Sequence, residues 1–145
     1  MADNEYNLKV VTPDGPVWEG AAVSTVIPGL DGYFGVWKGH MPLIAGLDIG
    51  TVMIKTPGER GIIYIATGGG FVEVNRDSVA VLAETAEVAE QIDLAHAGAA
   101  EQRAREEMSQ FFGTVDRELA ENALRRALNR KRTAERAKTH PTELF

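Results

Sequence analysis

The chain of 145 residues contains no cysteine. That excludes a disulfide framework, a thiolate metal site and a thiol nucleophile, and it suits a reducing compartment. A chain of this length buries a core without such staples and without a membrane span. Its opening, Met1-Ala2-Asp3-Asn4-Glu5-Tyr6-Asn7, has neither a basic stretch nor an apolar one. The chain is therefore expected to stay where it is made. Histidine is scarce too: His40, His96 and His140 are far apart and lack a ligand spacing, so no metal site is expected. No nucleophile, base and orienting group can be assembled, which disfavours an enzyme acting on a small metabolite. Acidic pairs such as Glu106-Glu107 fall on a solvated helical face.

The net charge of -6 argues against nucleic acid as a partner, but it conceals a division. Residues 1–113 hold 7 basic and 16 acidic side chains, a balance of -9, whereas residues 114–145 hold 8 and 5, a balance of +3. The two ends are built for different surroundings.

Up to about Thr85, short runs of β-forming residues alternate with turn residues, the pattern of an antiparallel sandwich or barrel. The runs are 7–11, 22–27, 33–37, 51–55, 61–66, 71–74 and 78–83. Between them stand Pro13-Asp14-Gly15, Pro28-Gly29, Lys38-Gly39, Pro57-Gly58, Gly68-Gly69-Gly70 and Asn75-Arg76-Asp77, residues that supply positive φ or a preset proline φ. The triple glycine lacks the Gly-Lys-Ser/Thr ending of a phosphate loop and opens onto the strand-like Phe71-Val72-Glu73-Val74. It is expected to be a hairpin turn or a bulge.

From Asp93 the apolar period lengthens to that of a helix, and alanine, glutamate and arginine dominate. Asp93 is the expected N-cap of a helix reaching Gln110, a break is expected at 111–114, and a second helix runs from Asp116 to about Lys138, before Pro141. Leu94, Ala97, Ala104, Met108 and Phe111 form one stripe, and Leu119, Ala120, Ala123, Leu124, Ala127 and Leu128 the other. Alanine buries little area at about 25 cal/mol per Å². Beyond Leu128 the only apolar residues expected in the second helix are Ala134 and Ala137, so its far end is expected to gain little from folding back and to open readily. The fold class is thus α+β: an amino-terminal antiparallel β-sandwich over residues 1–86 and a two-helix hairpin over 87–145.

One stretch is specific. Pro28-Gly29-Leu30-Asp31-Gly32-Tyr33-Phe34-Gly35-Val36-Trp37-Lys38-Gly39-His40-Met41-Pro42-Leu43 resembles a block of the epsilon subunits of bacterial F-type ATP synthases. Val10-Val11-Thr12-Pro13-Asp14-Gly15, Gly50-Thr51-Val52-Met53-Ile54, Gly68 to Val74 and Val79-Ala80-Val81-Leu82-Ala83 resemble further blocks in the same order, so the likeness covers nearly the whole chain. The resemblance implies a non-catalytic rotor subunit that couples a membrane ring to a catalytic head and regulates ATP hydrolysis through its helices. It implies contact of Asp31, Gly32 and Tyr33 with the loops of the c-ring, and of Thr12 and His40 with the gamma subunit. It also implies a peripheral position on the cytoplasmic face of a bacterial plasma membrane.

Members of this family often carry a nucleotide motif Ile/Leu-Asp-x-x-Arg-Ala. Here it reads Ile92-Asp93-Leu94-Ala95-His96-Ala97, with histidine in the arginine's place. Glu87, Asp93, Ala97, Arg103, Arg126 and Arg130 stand where the remaining contacts would fall. A neutral imidazole lacks the forked, permanent charge of a guanidinium, so regulatory ATP is expected to bind weakly or not at all. The resemblance, with the basic charge of the second helix, implies an inhibitory arm carrying Arg126, Arg130, Lys131, Arg132 and Arg136 against the alpha/beta head. The competing reading is a free-standing adaptor or ligand-binding β-sandwich with a helical oligomerisation arm.

Overall fold

Strands form where apolar residues alternate, and helices form where alanine recurs at helical spacing. The computed structural model describes residues 3–58, 61–110, 114–139 and 141. Residues 111–113 of the expected break at 111–114, with them the stripe residue Phe111, and His140 lie outside them; Thr114 already belongs to the second helix.

Strand β1 (Tyr6–Thr12) turns at Pro13-Asp14 into β2 (Gly15–Ala22). Strands β3 (Ser24–Gly29) and β4 (Gly32–Trp37) form a hairpin around Leu30-Asp31, where Gly32 takes φ 120°. Two long strands follow, β5 (Leu43–Lys55) and β6 (Ile62–Val74), and then β7 (Ser78–Ala83) and β8 (Ala86–Val88). A short 3₁₀ turn at Ala89–Gln91 leads to α1 (Leu94–Gln110) and α2 (Thr114–Thr139). The hydrogen-bonded order is β2-β1-β7-β6-β5-β3-β4, with β8 on β6.

The α+β class, with a sandwich followed by paired helices, is as expected. Several details differ. β1 and β7 are parallel, so the sandwich is not purely antiparallel. β2 was hidden because Pro16 and Gly20 interrupt its alternation, and β8 runs across the expected boundary between residues 86 and 87.

The triple glycine is neither a hairpin turn nor a bulge. β6 passes through it with unbroken register against β5, from Leu43↔Val74 to Lys55↔Ile62. On its other side β7 and β8 continue one another across Glu84-Thr85, joined to β6 by Glu84 N to Gly69 O (2.9 Å) and Gly68 N to Thr85 O (2.9 Å). Gly69 and Gly70 hold φ of 101° and 130°, and Gly68 lies against the Thr85 hydroxyl and the Arg126 side chain. A side chain at any of the three would strain the backbone or crowd its neighbours.

The main core lies between the layers and includes Tyr6, Leu8, Val10, Ile27, Val36, Leu47, Ile54, Val72 and Val81. A buried polar link crosses it: the Tyr6 hydroxyl donates to Val36 O (3.0 Å) and shares a 2.6 Å hydrogen bond with Thr25 Oγ1. Burial raises the Tyr6 phenol to about 12, against a smaller opposing effect of the Thr25 hydrogen bond. Strand alternation sends Val26, Met53 and Tyr64 to the opposite face, where they meet Ala89 and Ala137.

Alanine at a spacing of seven residues sets the helix seam: Ala97 and Ala104 on α1, and Ala120, Ala127 and Ala134 on α2, are buried. Leu94 and Leu119, expected in that seam, are instead exposed. Asp93 caps α1 as expected, its Oδ1 accepting from His96 N at 3.1 Å.

Candidate functional site

The far end of α2 is not loose. It lies on the sandwich, with Ala134 packed against Ala66 and Ile92, and Ala137 against the cluster around Tyr64. Asn129 Nδ2 donates to Gly50 O at 2.8 Å, and the Thr133 and Thr51 hydroxyls share a 2.7 Å bond in a buried position. This overturns the expectation that the segment gains little from folding back. A stripe of small residues brings helix and sheet close enough for short polar side chains to bond across, and large apolar residues are not needed.

Five basic side chains were expected to form an inhibitory arm. Arg130 makes a forked pair with Glu87 of β8, Nε to Oε2 at 2.8 Å and Nη2 to Oε1 at 3.2 Å. Lys131 Nζ meets Glu101 Oε2 of α1 at 2.8 Å, and Arg105 joins the same carboxylate. Lys131 first, then Arg105, holds the Glu101 carboxyl below its ordinary range. Arg136 lies over the Tyr64 ring, 5.9 Å from its centre. Arg126 approaches Gly68, and Arg132 is exposed. In this conformation, then, most of the arm's charge faces its own chain.

Of the six residues placed at a nucleotide position, Glu87, Arg126 and Arg130 line one cleft of about 290 Å³ with Thr67, Gly68, Thr85 and Asn129. Asp93 is occupied by its capping bond, Ala97 is buried in the helix seam, and Arg103 is an exposed residue of α1 outside the cleft lining. His96 reaches the cluster from α1: its Nδ1 lies 3.0 Å from Arg130 Nη1. A guanidinium can only donate, so the ring nitrogen is the acceptor in this contact. The residue that breaks the family motif therefore completes an internal contact with Arg130, a role that only the fold reveals.

The turn at Asp31 and Gly32 is exposed at one end of the β3–β4 hairpin. Tyr33 is half-exposed, and its hydroxyl accepts from Thr51 N at 3.1 Å, which fixes the ring over β5. Thr12 lies level with the Ala83 end of β7, its hydroxyl bonded within the β1–β2 turn. His40 lies beyond the Ser78 end, where Gly39 N bonds to Arg76 O, and its Nδ1 is 2.7 Å from Met41 O. The two are therefore separate, but an outward stripe of exposed apolar residues runs between them: Met41 (75%), Ile44 (75%), Phe71 (62%) and Leu82 (45%). Phe71 faces Leu82 across β6 and β7, and Leu82 faces Val11 of β1.

Among the described residues, no three metal-ligating side chains are gathered, and no helix is long and apolar enough to cross a membrane.

Comparison with known proteins accounts for both units. Residues 5–89 match the ATP synthase delta/epsilon chain β-sandwich domain, and residues 90–138 match its long α-helix domain. The ATP synthase epsilon chain of Bacillus cytotoxicus is 40% identical over 125 residues, covering 86% of this chain and 92% of that protein. That of Bacillus licheniformis is 42% identical over 123 residues, covering 85% and 92%. A chain in the Euglena gracilis mitochondrial ATP synthase structure superposes with a TM-score of 0.75 at 23% identity, covering 94% of this chain and 82% of that one. A Tetrahymena thermophila mitochondrial central-stalk and c-ring structure gives 0.61 at 11% identity, covering 92% and 99%; at such identities the likeness speaks for the fold alone. The chain belongs to the ATP synthase delta/epsilon chain family.

Proposed function

We propose that this chain is the non-catalytic epsilon-type subunit of the central stalk of a bacterial ATP synthase, turning with the rotor and restraining ATP hydrolysis through its helices. The observation that carries this reading is the match of both structural units, in order, to the two domains of the family. The exposed apolar stripe from Met41 to Leu82 supports it, because a contiguous apolar strip on a small domain marks a surface that a partner covers. Thr12 and His40 flank that stripe, so we assign it to the gamma subunit. We assign the turn at Asp31, Gly32 and Tyr33 to the loops of the membrane ring. The chain then sits peripherally on the cytoplasmic face of the plasma membrane.

Regulation follows from α2. Folded on the sandwich, its basic side chains engage Glu87, Glu101 and Tyr64. Released, the same charges are free to meet an acidic surface of the alpha/beta head, and several pairs must act together because exposed ion pairs contribute only about 0–1 kcal/mol each. ATP, if it acts as a regulator, must compete with Glu87 for Arg130. Tagging the chain and purifying it from gently solubilised membranes tests the reading. Gamma, alpha, beta and ring subunits should co-purify, and their absence would refute the assignment.

A further inference from the structure

A second groove lies on the other side of α2, between the helix and the strands β4 and β5. Its volume is about 520 Å³, and Tyr33, Thr51, Met53 and Leu128 line it beside arginines. Those arginines are 125, 132 and 136, and at about 100° per residue the three fall within about 40° of arc on one helix face. No carboxylate lines the groove among the described residues; Asp48, next to it, pairs with Arg125 at 3.1 Å. In a chain of net charge -6, this is a local concentration of guanidinium held around a concave, half-apolar surface. Like charges gathered in this way repel one another, and an anion between them relieves the repulsion. The size falls within the roughly 300–1,000 Å³ of small-ligand sites.

We propose that this groove is an anion-binding site distinct from the cleft at Glu87 and Arg130, and that it takes a phosphate-bearing ligand with an apolar portion. Arg132 is the principal phosphate donor. Its guanidinium is exposed and its planar fork matches a phosphate's oxygens. Arg125 supports it while bonded to Asp48, and Arg136 supplies positive charge while held over Tyr64. Tyr33, Met53 and Leu128 form the wall for the apolar portion. Because the groove exists only with α2 on the sandwich, the ligand stabilises the folded-back arm. The phosphate belongs either to a soluble ester or to an anionic lipid headgroup.

The test uses the full chain. Calorimetry with tripolyphosphate at low salt should show binding that Arg132→Gln weakens by about tenfold or more, the loss of one charge-assisted pair. Arg117→Gln, at an exposed position of α2 that lines neither cleft, should leave it nearly unchanged. An unaltered helical circular dichroism signal establishes that Arg132→Gln still folds. Sedimentation with phosphatidylglycerol vesicles, with phosphatidylcholine vesicles as control, separates the two sources. Anionic vesicles that bind and are displaced by tripolyphosphate identify a headgroup, and tripolyphosphate binding without vesicle binding identifies a soluble ester. Failure of the wild type to bind either probe overturns the proposal. So does binding that Arg132→Gln leaves intact.

Discussion

Arg130 of α2 grips Glu87 of β8 with two of its nitrogens while a third meets Nδ1 of His96 on α1. One side chain thus ties the second helix to the sandwich and to the first helix. The pair is only partly exposed, at 20% and 33% of the two side chains, so solvent screens it less than an open surface pair. Arg130→Ala should loosen α2 by about 1.5–3 kcal/mol, the range for a hydrogen-bonded charged group. Hydrogen exchange should quicken in the second half of α2 and stay unchanged in β1 and β7. Equal protection in wild type and variant would show that the pair contributes nothing to docking.

The same contact sets an expectation for ATP. Because Glu87 already occupies the fork of Arg130, calorimetry should find weak or undetectable ATP binding to the isolated wild type. Glu87→Gln reduces the competing charge and should free α2 before it strengthens ATP binding. Tight binding by the wild type would mean that the internal carboxylate yields readily.

Ala127 is buried in the alanine seam, so a larger side chain there must displace its neighbours. Ala127→Leu should force the helices apart and cost about 1–3 kcal/mol, despite leucine's good helix propensity. Thermal melting followed by helical circular dichroism should show a lower transition. A higher one would place the seam elsewhere.

Tyr6 gives the sandwich an alkaline limit. Its phenol is raised from 10.0 to about 12 in the folded chain, chiefly by burial. The group is neutral when protonated, so its contribution is complete below pH 10 and fades as pH rises through about 12. Urea denaturation at stepped pH should show this decline, and Tyr6→Phe should flatten it. Tyr6→Phe should also cost about 1–3 kcal/mol at neutral pH by leaving Val36 O and Thr25 Oγ1 without their partner.

The apolar stripe predicts a defect of assembly without a defect of folding. Phe71 and Leu82 face outward, so Phe71→Glu and Leu82→Glu should leave the isolated chain's melting within about 0.5 kcal/mol of wild type. Recovery of gamma with the tagged chain should fall. Normal recovery with both changes would remove the stripe from the interface.

The sequence made some of this legible. The run of β-formers at 7–11 gives β1, and Asp93 marks the start of α1 because a carboxylate before an alanine-rich run has one dominant use. The glycines at 68–70 read as a turn because punctuation and close approach look alike until the neighbouring Thr85 and Arg126 are in place. Docking of α2 is hard to read for a related reason. Ala120, Ala127 and Ala134 keep a strict spacing of seven, and Asn129 and Thr133 are four residues apart, a signal that was present. Their value depends on Gly50 and Thr51 lying opposite, and only the fold supplies that. No pattern in the chain foretold His96 as a partner of Arg130.

The absence of cysteine permits one direct measurement of the regulatory claim. Thr51 and Thr133 touch through their hydroxyls at 2.7 Å, so Thr51→Cys with Thr133→Cys introduces the chain's sole disulfide and locks α2 onto the sandwich. In the assembled enzyme, the account predicts that oxidation raises ATP hydrolysis above the wild-type rate and that a reductant returns it to that rate. Hydrolysis that is the same in the oxidised and reduced states, with the disulfide confirmed by mass, would contradict a regulatory arm that acts by leaving the sandwich.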